Sequence, residues 1–534
     1  MKKIKGLFII AVGALIVSSC NKKITADELN PNAPTTVTPN LLVGTILDDV
    51  SGTGSIGSLG GINSWSSVQQ WNQYFCSNYG YYATNIYSWT SGPFDGYLVL
   101  KNVVQMEKEA TSRGTAAVNP FEALGKFVRA WYYYNLTSMF GDIPVTDALE
   151  GASNPTPTYT PQKQVFLYVL NILDSANTDF ASLIASNDNS LSATQDIFYA
   201  GNLASWQKLV NSFKLRVLIS LSAQAADADL QVAQQFANIY NNPSKYPVFA
   251  STNDDFKLTY VNPPYTTYGF TPSNYGSIAQ RYNSSYTYVN ALTSLQDPRV
   301  YLNCEPAAKL VDSFKTTPTD FRVFKGASTG ETLENMYSDA GSGQLSFINF
   351  YRYFTSFIGY PDILVGYNEL QFNIAEAMNR GWITGNAETA YQNGILTSLA
   401  YYGITPSQTS YRALFHSGTT PTDTTGYAYT FNFATYYAQP SVKYTAGTTG
   451  LNQILMQKYL AEFNNSGWEP YFTYRRTGVP AFQGGSGVGN NGTIPLRWTY
   501  PYGEQSYNAK NWAAAIANQG FSADDLNQTM WLIK

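Results

Sequence analysis

Apolar residues recur along this chain with the period of a helix far more often than with the two-residue period of a strand. Phe121, Leu124, Val128 and Trp131 fall at i, i+3, i+7 and i+10, which predicts one helix face. Val165, Val169, Ile172, Ala176, Phe180 and Leu183 line a second, predicted to start just after Pro161. Trp206, Val210, Phe213 and Val217 mark a third, and Val232, Phe236 and Ile239 a shorter fourth. Ile363, Tyr367, Leu370 and Ile374 predict a fifth, followed by the turn Gly381-Trp382-Ile383-Thr384-Gly385. Asn386 can then cap a partner helix bearing Ala387, Tyr391, Ile395 and Leu399. Helices joined by so short a turn pack antiparallel. The helices recur without a strict sequence period. The expected fold is therefore mainly α: an irregular tetratricopeptide-like scaffold with long aromatic-rich loops and a few short strands. Strand-like alternation is scattered and short, which argues against an outer-membrane β-barrel.

Between the predicted helices lie loops rich in Tyr, Trp, Asn, Ser and Gly. One runs from Trp65 to Trp89 and another from Tyr260 to Tyr288. Rigid amphipathic rings interleaved with small polar groups resemble a paratope. Sugars suit such a surface, because their C–H faces stack on rings while their hydroxyls need polar partners. Asn72, Tyr79, Tyr81, Tyr82, Tyr87, Trp89, Tyr265, Tyr268 and Tyr275 are the candidate ligand contacts. Most rings must still be structural, since 42 tyrosines cannot all line one site.

The N-terminus carries a different pattern. Lys2, Lys3 and Lys5 precede an apolar run, Leu7 to Val17, that is too short to span a bilayer. It ends Val17-Ser18-Ser19-Cys20, which resembles a bacterial lipobox with Cys20 as the lipidated residue. The expected organisation is a signal peptide over 1–19, a polar tether over 20–39 and one helical binding domain over 40–534. Two or three acyl chains, at about 0.8 kcal/mol per buried methylene, would anchor the chain to a membrane without a spanning helix.

Composition narrows the function further. The 534 residues include 13% charged and 44% hydrophobic side chains, enough apolar content for a large core. A formal net charge of −4 gives no basic excess to track phosphates, so a nucleic-acid partner is not expected. One His and three Cys exclude zinc ribbons and iron–sulfur clusters, and no cofactor is expected. Cys76 and Cys304 could pair or remain buried thiols.

Two motifs look catalytic. Gly52-Thr53-Gly54-Ser55-Ile56-Gly57 matches the dinucleotide fingerprint, but it follows the helix-like Leu41–Val50 instead of a strand. Gly326-Ala327-Ser328-Thr329-Gly330 matches the nucleophile elbow after a strand-like Phe321–Phe324, with Asp339 or Asp362 and His416 following in hydrolase order. The elbow must launch a packed helix, whereas Glu331 to Gly343 is polar and glycine-ended. The Asp254-Asp255 pair could in principle serve a glycosidase, but nothing in its setting suggests a raised pKa. No catalytic residue is therefore assigned.

Ordered blocks along the whole chain carry a family resemblance. Glu122 to Tyr134 continues to Phe140-Gly141-Asp142-Ile143-Pro144, and Tyr199-Ala200-Gly201-Asn202 leads to Trp206 through Arg216. Asp297-Pro298-Arg299, Asn368 to Ala377, Arg380-Gly381-Trp382, Gln457-Lys458-Tyr459, Arg475 to Pro480 and Ile494 to Arg497 follow in order. The chain resembles the SusD/RagB outer-membrane nutrient-binding lipoproteins. That resemblance implies a lipid-anchored protein on the cell surface of Bacteroidota, capping a SusC-like TonB-dependent transporter. It implies capture of an oligosaccharide, or in some members a peptide, without cleavage. The family's charged motifs read physically as scaffold: Arg129 shares a helix face with Glu122, and Asp297-Pro298-Arg299 ties loops together. Arg475, Arg476 and Arg497 are expected to pair with Glu369, Glu376 or Glu504.

Overall fold

The computed structural model describes residues 37–54, 62–81, 83–261, 268–416 and 424–534. Cys20, Tyr82, Tyr265 and the last three residues of the Gly52–Gly57 motif lie outside them. The longer helices are α1 (Pro39–Val50), α2 (Gly96–Ser112), α3 (Pro120–Phe140), α4 (Gln162–Ala185), α5 (Leu203–Ser220) and α6 (Val232–Asn241). They continue with α7 (Tyr286–Ser294), α8 (Leu333–Gly341), α9 (Tyr367–Asn379), α10 (Ala387–Tyr401), α11 (Thr448–Ala461), α12 (Glu469–Thr477) and α13 (Ala509–Asn518). From α1 to α6 each helix packs on the next, while α9 packs on α10, α11 and α5. This is the tetratricopeptide-like scaffold that the periodicity predicts.

Local chemistry explains where the helices begin. Asn119 accepts from the N–H groups of Phe121 and Glu122 at 3.0 and 3.1 Å, and Pro120 follows it at the first helical position. Asn386 caps α10 through the Thr389 N–H at 3.1 Å, as its position predicts. The predicted faces of α3 and α5 are buried, and Trp131 meets Phe213 at 5.3 Å between ring centroids.

The fifth predicted helix needs a correction. Ile363 belongs to strand β4 (Asp362–Val365), which pairs antiparallel with β2 (Phe256–Leu258). Gly366, extended at φ −109°, separates that strand from α9, so the helical spacing of Ile363 to Tyr367 is coincidental. Two other small sheets complete the β content among the described residues: β1 (Phe75–Ser77) with β3 (Tyr282–Ser284), and the hairpin β5 (Ser410–His416) with β6 (Thr424–Thr430).

The charged motifs are internal, with some partners reassigned. Arg129 forks onto Glu107 of α2, its Nη2 lying 2.5 Å from Oε2, and not onto Glu122. Arg299 grips Asp297 at 2.9 and 2.7 Å and also reaches Ser398 and Gln457, tying α10 to α11. Arg476 pairs with Glu376, whereas Arg497 pairs with Asp524 and Glu369 with Arg216. Arg475 donates to the Leu496 carbonyl at 2.9 Å, and Glu504 accepts from the Tyr159 hydroxyl at 2.7 Å. Cys76 and Cys304 are both buried free thiols, which closes the question of their pairing.

Candidate functional site

A cavity of about 340 Å³ opens between helix α8 and the residues that flank the β1–β3 pair, Asn78 just past β1 and Ala279 to Arg281 just before β3. Strand pairing fixes one wall. Just past β1, the Asn78 N–H donates to the Arg281 carbonyl at 2.9 Å, and its amide donates to Gln280 O and Asn283 Oδ1. Opposite, Met336 and Ala340 turn inward from α8, which leaves Tyr337 outward at 51% exposure. Tyr337 and Tyr79 stand 5.7 Å apart at an interplanar angle of 38°, and the Arg281 guanidinium sits 4.4 Å over the Tyr79 ring. Tyr81 is 84% exposed on the same loop as Tyr79.

Deeper in the cavity, Tyr275 packs edge-on against Phe350 at 4.6 Å, and its hydroxyl is 3.0 Å from His416 Nδ1. Glu305 accepts the backbone N–H groups of Phe350 and His416 at 2.8 and 3.0 Å. Burial pushes the Glu305 carboxyl up to about 8, and those two N–H donors only partly offset it. At neutral pH Glu305 is thus mainly protonated and can offer a hydroxyl donor. Leu345, Phe347 and Ile348 supply apolar wall. Stacking rings, amide groups and a buried acid around one opening form an amphipathic pocket suited to a polyhydroxylated ligand.

The expected contacts divide sharply. Tyr79, Tyr81 and Tyr275 lie in or beside this site, whereas Asn72, Tyr87, Trp89 and Tyr268 are core residues. Asn72 donates to Gly467 O at 2.8 Å and accepts from the Tyr471 N–H at 3.1 Å. The Tyr87 hydroxyl donates to Trp71 O at 2.6 Å, and that of Tyr268 accepts from Trp65 Nε1 at 2.8 Å. Trp89 stacks on Trp498 at 3.8 Å. Their loops are packed into the scaffold, so the polar tips of Asn72, Tyr87 and Tyr268 are satisfied internally. The buried Trp89 Nε1 has no hydrogen-bond partner among the described residues, and its ring is held by stacking. Sequence reasoning did not select Tyr337, Asn78, Arg281 or Glu305. The signal for Tyr337 was the spacing of Met336 and Ala340, which turns the intervening Tyr337 away from the core.

The catalytic motifs take structural roles. Phe321–Val323 is a 3₁₀ turn and not a strand, so the geometry of a nucleophile elbow is missing. Among the described residues no hydrogen bond joins the Ser328 side chain to His416 or a carboxylate. Asp255 has its carboxyl raised to about 6 by burial, contrary to the sequence reading, while accepting the Tyr367 N–H at 2.7 Å. Asp254 resists its burial through Lys208 and backbone donors, which hold it below the usual range. No group of three or more His, Cys, Asp or Glu among the described residues is placed to hold a metal ion.

Residues 31–501 match the SusD-like family described as starch-binding and associating with the outer membrane. Two SusD homologues from Bacteroides fragilis are structurally similar. One is 25% identical with a TM-score of 0.77, the other 29% identical with 0.74, each match covering 93% of this chain and 100% of the relative. A chitin-binding SusD homologue from Flavobacterium johnsoniae, 19% identical, shares the fold at a TM-score of 0.68 over 93% of this chain and 98% of its own. A search of curated proteins found no match.

Proposed function

Because this chain belongs to the SusD-like family, we propose that it captures a glycan in the cavity between α8 and the Asn78 and Ala279–Arg281 segments. It then delivers that glycan to a SusC-like TonB-dependent transporter in the outer membrane. The observation that carries the binding role is the ring pair Tyr79–Tyr337 beside Asn78, Arg281, Tyr275 and Glu305 around an open cavity. Rings stack on sugar faces, and the guanidinium and acid groups satisfy hydroxyls. The starch-binding description of the family and the chitin-binding homologue support a saccharide over a peptide. The family's description as binding proteins supports reading the site as one that holds its ligand unchanged.

Calorimetric titration against a panel of neutral oligosaccharides tests this reading. Tyr337→Ala and Tyr79→Ala are each expected to cost about 1–3 kcal/mol of binding, the scale for losing an aromatic stacking partner. Affinity then falls about 5- to 150-fold. A panel that includes peptides but finds only peptide binding would replace the glycan reading.

Attachment is proposed to rest on acylated Cys20. Among the described residues no helix is long and apolar enough to cross a membrane. Cys20→Ala is expected to move the protein from the detergent phase to the aqueous phase. A gentle detergent extract of wild type should hold it in complex with a TonB-dependent barrel. A variant that still partitions with membranes would refute the anchor.

A further inference from the structure

A second, larger cleft of about 940 Å³ opens between Tyr301 and Leu302, residues 349–360 and the hairpin strand β5. Among the described residues its lining contains two arginines, Arg352 and Arg412, and no Asp or Glu. Most arginines among the described residues pair with an acid, although Arg475, which donates to the Leu496 carbonyl, does not. Arg129, Arg216, Arg299, Arg476 and Arg497 each meet a carboxylate. Arg352 meets none among the described residues. Its guanidinium lies 3.8 Å over the Tyr360 ring and 4.5 Å over Tyr402, a cation held by aromatic faces. Its Nη2 makes one long 3.5 Å bond to the Tyr401 carbonyl, and its buried Nε has no hydrogen-bond partner. Leaving a buried charged donor unsatisfied is costly unless something else supplies the acceptor.

Arg412 stands across the cleft on β5, in register with Ala428 of β6. Its guanidinium lies over Gly426, where an added Cβ would come 2.2 Å from Nη2, so the glycine leaves the space that the arginine fills. Tyr351 and Ile358 at the mouth are 56% and 48% exposed. Among the described residues the cleft thus offers two cations, exposed ring and aliphatic faces, and no competing anion. Guanidinium groups bind carboxylates bidentately and with charge assistance, which a neutral hydroxyl cannot match.

We propose that this cleft is a second saccharide-binding site, specific for a carboxylate-bearing sugar such as a uronic acid, with Arg352 and Arg412 gripping the carboxylate and Tyr351 and Tyr360 flanking the ring. The inference rests on the glycan-binding reading above and adds the ligand's charge to it. A volume at the upper end of the roughly 300–1,000 Å³ range of ligand pockets suits an oligosaccharide segment better than a free ion.

Oligosaccharides of galacturonate, of alginate and of hyaluronan, each titrated beside its carboxyl-reduced counterpart, test it on the full-length protein. At least one acidic form is expected to bind about tenfold or more tighter than its reduced form, with the advantage shrinking at high salt. Arg412→Gln should remove about tenfold of that advantage, and Arg412→Glu more, while reduced forms bind as before. Because Arg412 is exposed, neither variant disturbs the core. Tyr337→Ala should leave the Arg412-dependent component in place. If neutral oligosaccharides bind through Tyr337 but acidic ones bind no better, or are insensitive to both Arg412 variants, the second site is wrong and the first reading stands. Acidic peptides binding with the Arg412 dependence that uronates lack would also overturn it. If no glycan of either kind binds, both readings fall together.

Discussion

Trp89→Ala is expected to lower folding stability by about 3–5 kcal/mol, the range for truncating a large buried aromatic side chain, while the folded fraction keeps its affinity for glycan. Trp89 is 1% exposed and stacks on Trp498 at 3.8 Å and 13°. Trp71, Tyr87, Trp468 and Tyr471 meet it edge-on within 4.8 to 5.7 Å. The cluster already borders a void of about 140 Å³. Truncation enlarges that void and removes dispersion contacts that nothing replaces. Tyr337→Ala reverses the pattern, because half of its ring is in solvent: the melting midpoint barely moves and affinity drops. Thermal melts paired with titrations of both variants make the comparison. A Trp89→Ala protein with an unchanged midpoint and lost affinity would place Trp89 in the ligand site instead of the core.

That contrast shows what a sequence can convey here. Trp89 and Tyr79 belong to one aromatic loop, ten residues apart, with the same flanking chemistry of Asn, Ser and Tyr. What separates them is the neighbour each meets from elsewhere in the chain: Trp498 for one, Tyr337 and Arg281 for the other. No local pattern encodes those meetings. The helices were legible because a buried face repeats every three to four residues within one segment, as in α3, α4 and α5. The caps were legible for the same local reason, as Asn386 shows. Strand β4 was not, because its partner β2 lies about a hundred residues earlier in the chain and its four buried residues continue the apolar spacing of α9. The charged family motifs were recognisable as internal, but their pairing was not. Arg216 and Glu107, which take up Glu369 and Arg129, come from helices whose packing only the fold reveals.

Those buried charges lead to a prediction with two opposite signs. Arg216 forks onto Glu369, with Lys458 4.0 Å from the same carboxylate, all three being nearly inaccessible. Burial would raise Glu369, but Arg216 and Lys458 overcome it and hold the carboxyl below its usual range. Arg216→Met leaves that carboxylate without its fork and is expected to cost about 3–5 kcal/mol, the range for breaking a buried pair from one side. Glu462 is the converse. It lies 3.8 Å from Lys458, yet neither of its oxygens has a hydrogen-bond partner, and burial pushes its carboxyl well up. Glu305 at about 8 and Asp362 at about 7 are raised by burial in the same way. A raised acid binds more protons folded than unfolded, so its contribution is complete below the ordinary carboxylate pKa and is lost as pH climbs through the folded one. Wild-type stability should therefore decline between about pH 5 and 9, against the opposite and more acidic dependence of Glu376, which its arginine partners hold near 2 despite its burial. Glu462→Gln removes one source of that decline. It should match wild type near pH 5 and exceed it by about 1–3 kcal/mol near pH 8, the cost of a buried unsatisfied group. Urea midpoints across this pH range decide the matter. A Glu462→Gln curve parallel to wild type, or an Arg216→Met protein as stable as wild type, would show that water or rearrangement relieves these charges and that the buried network does not set the pH profile.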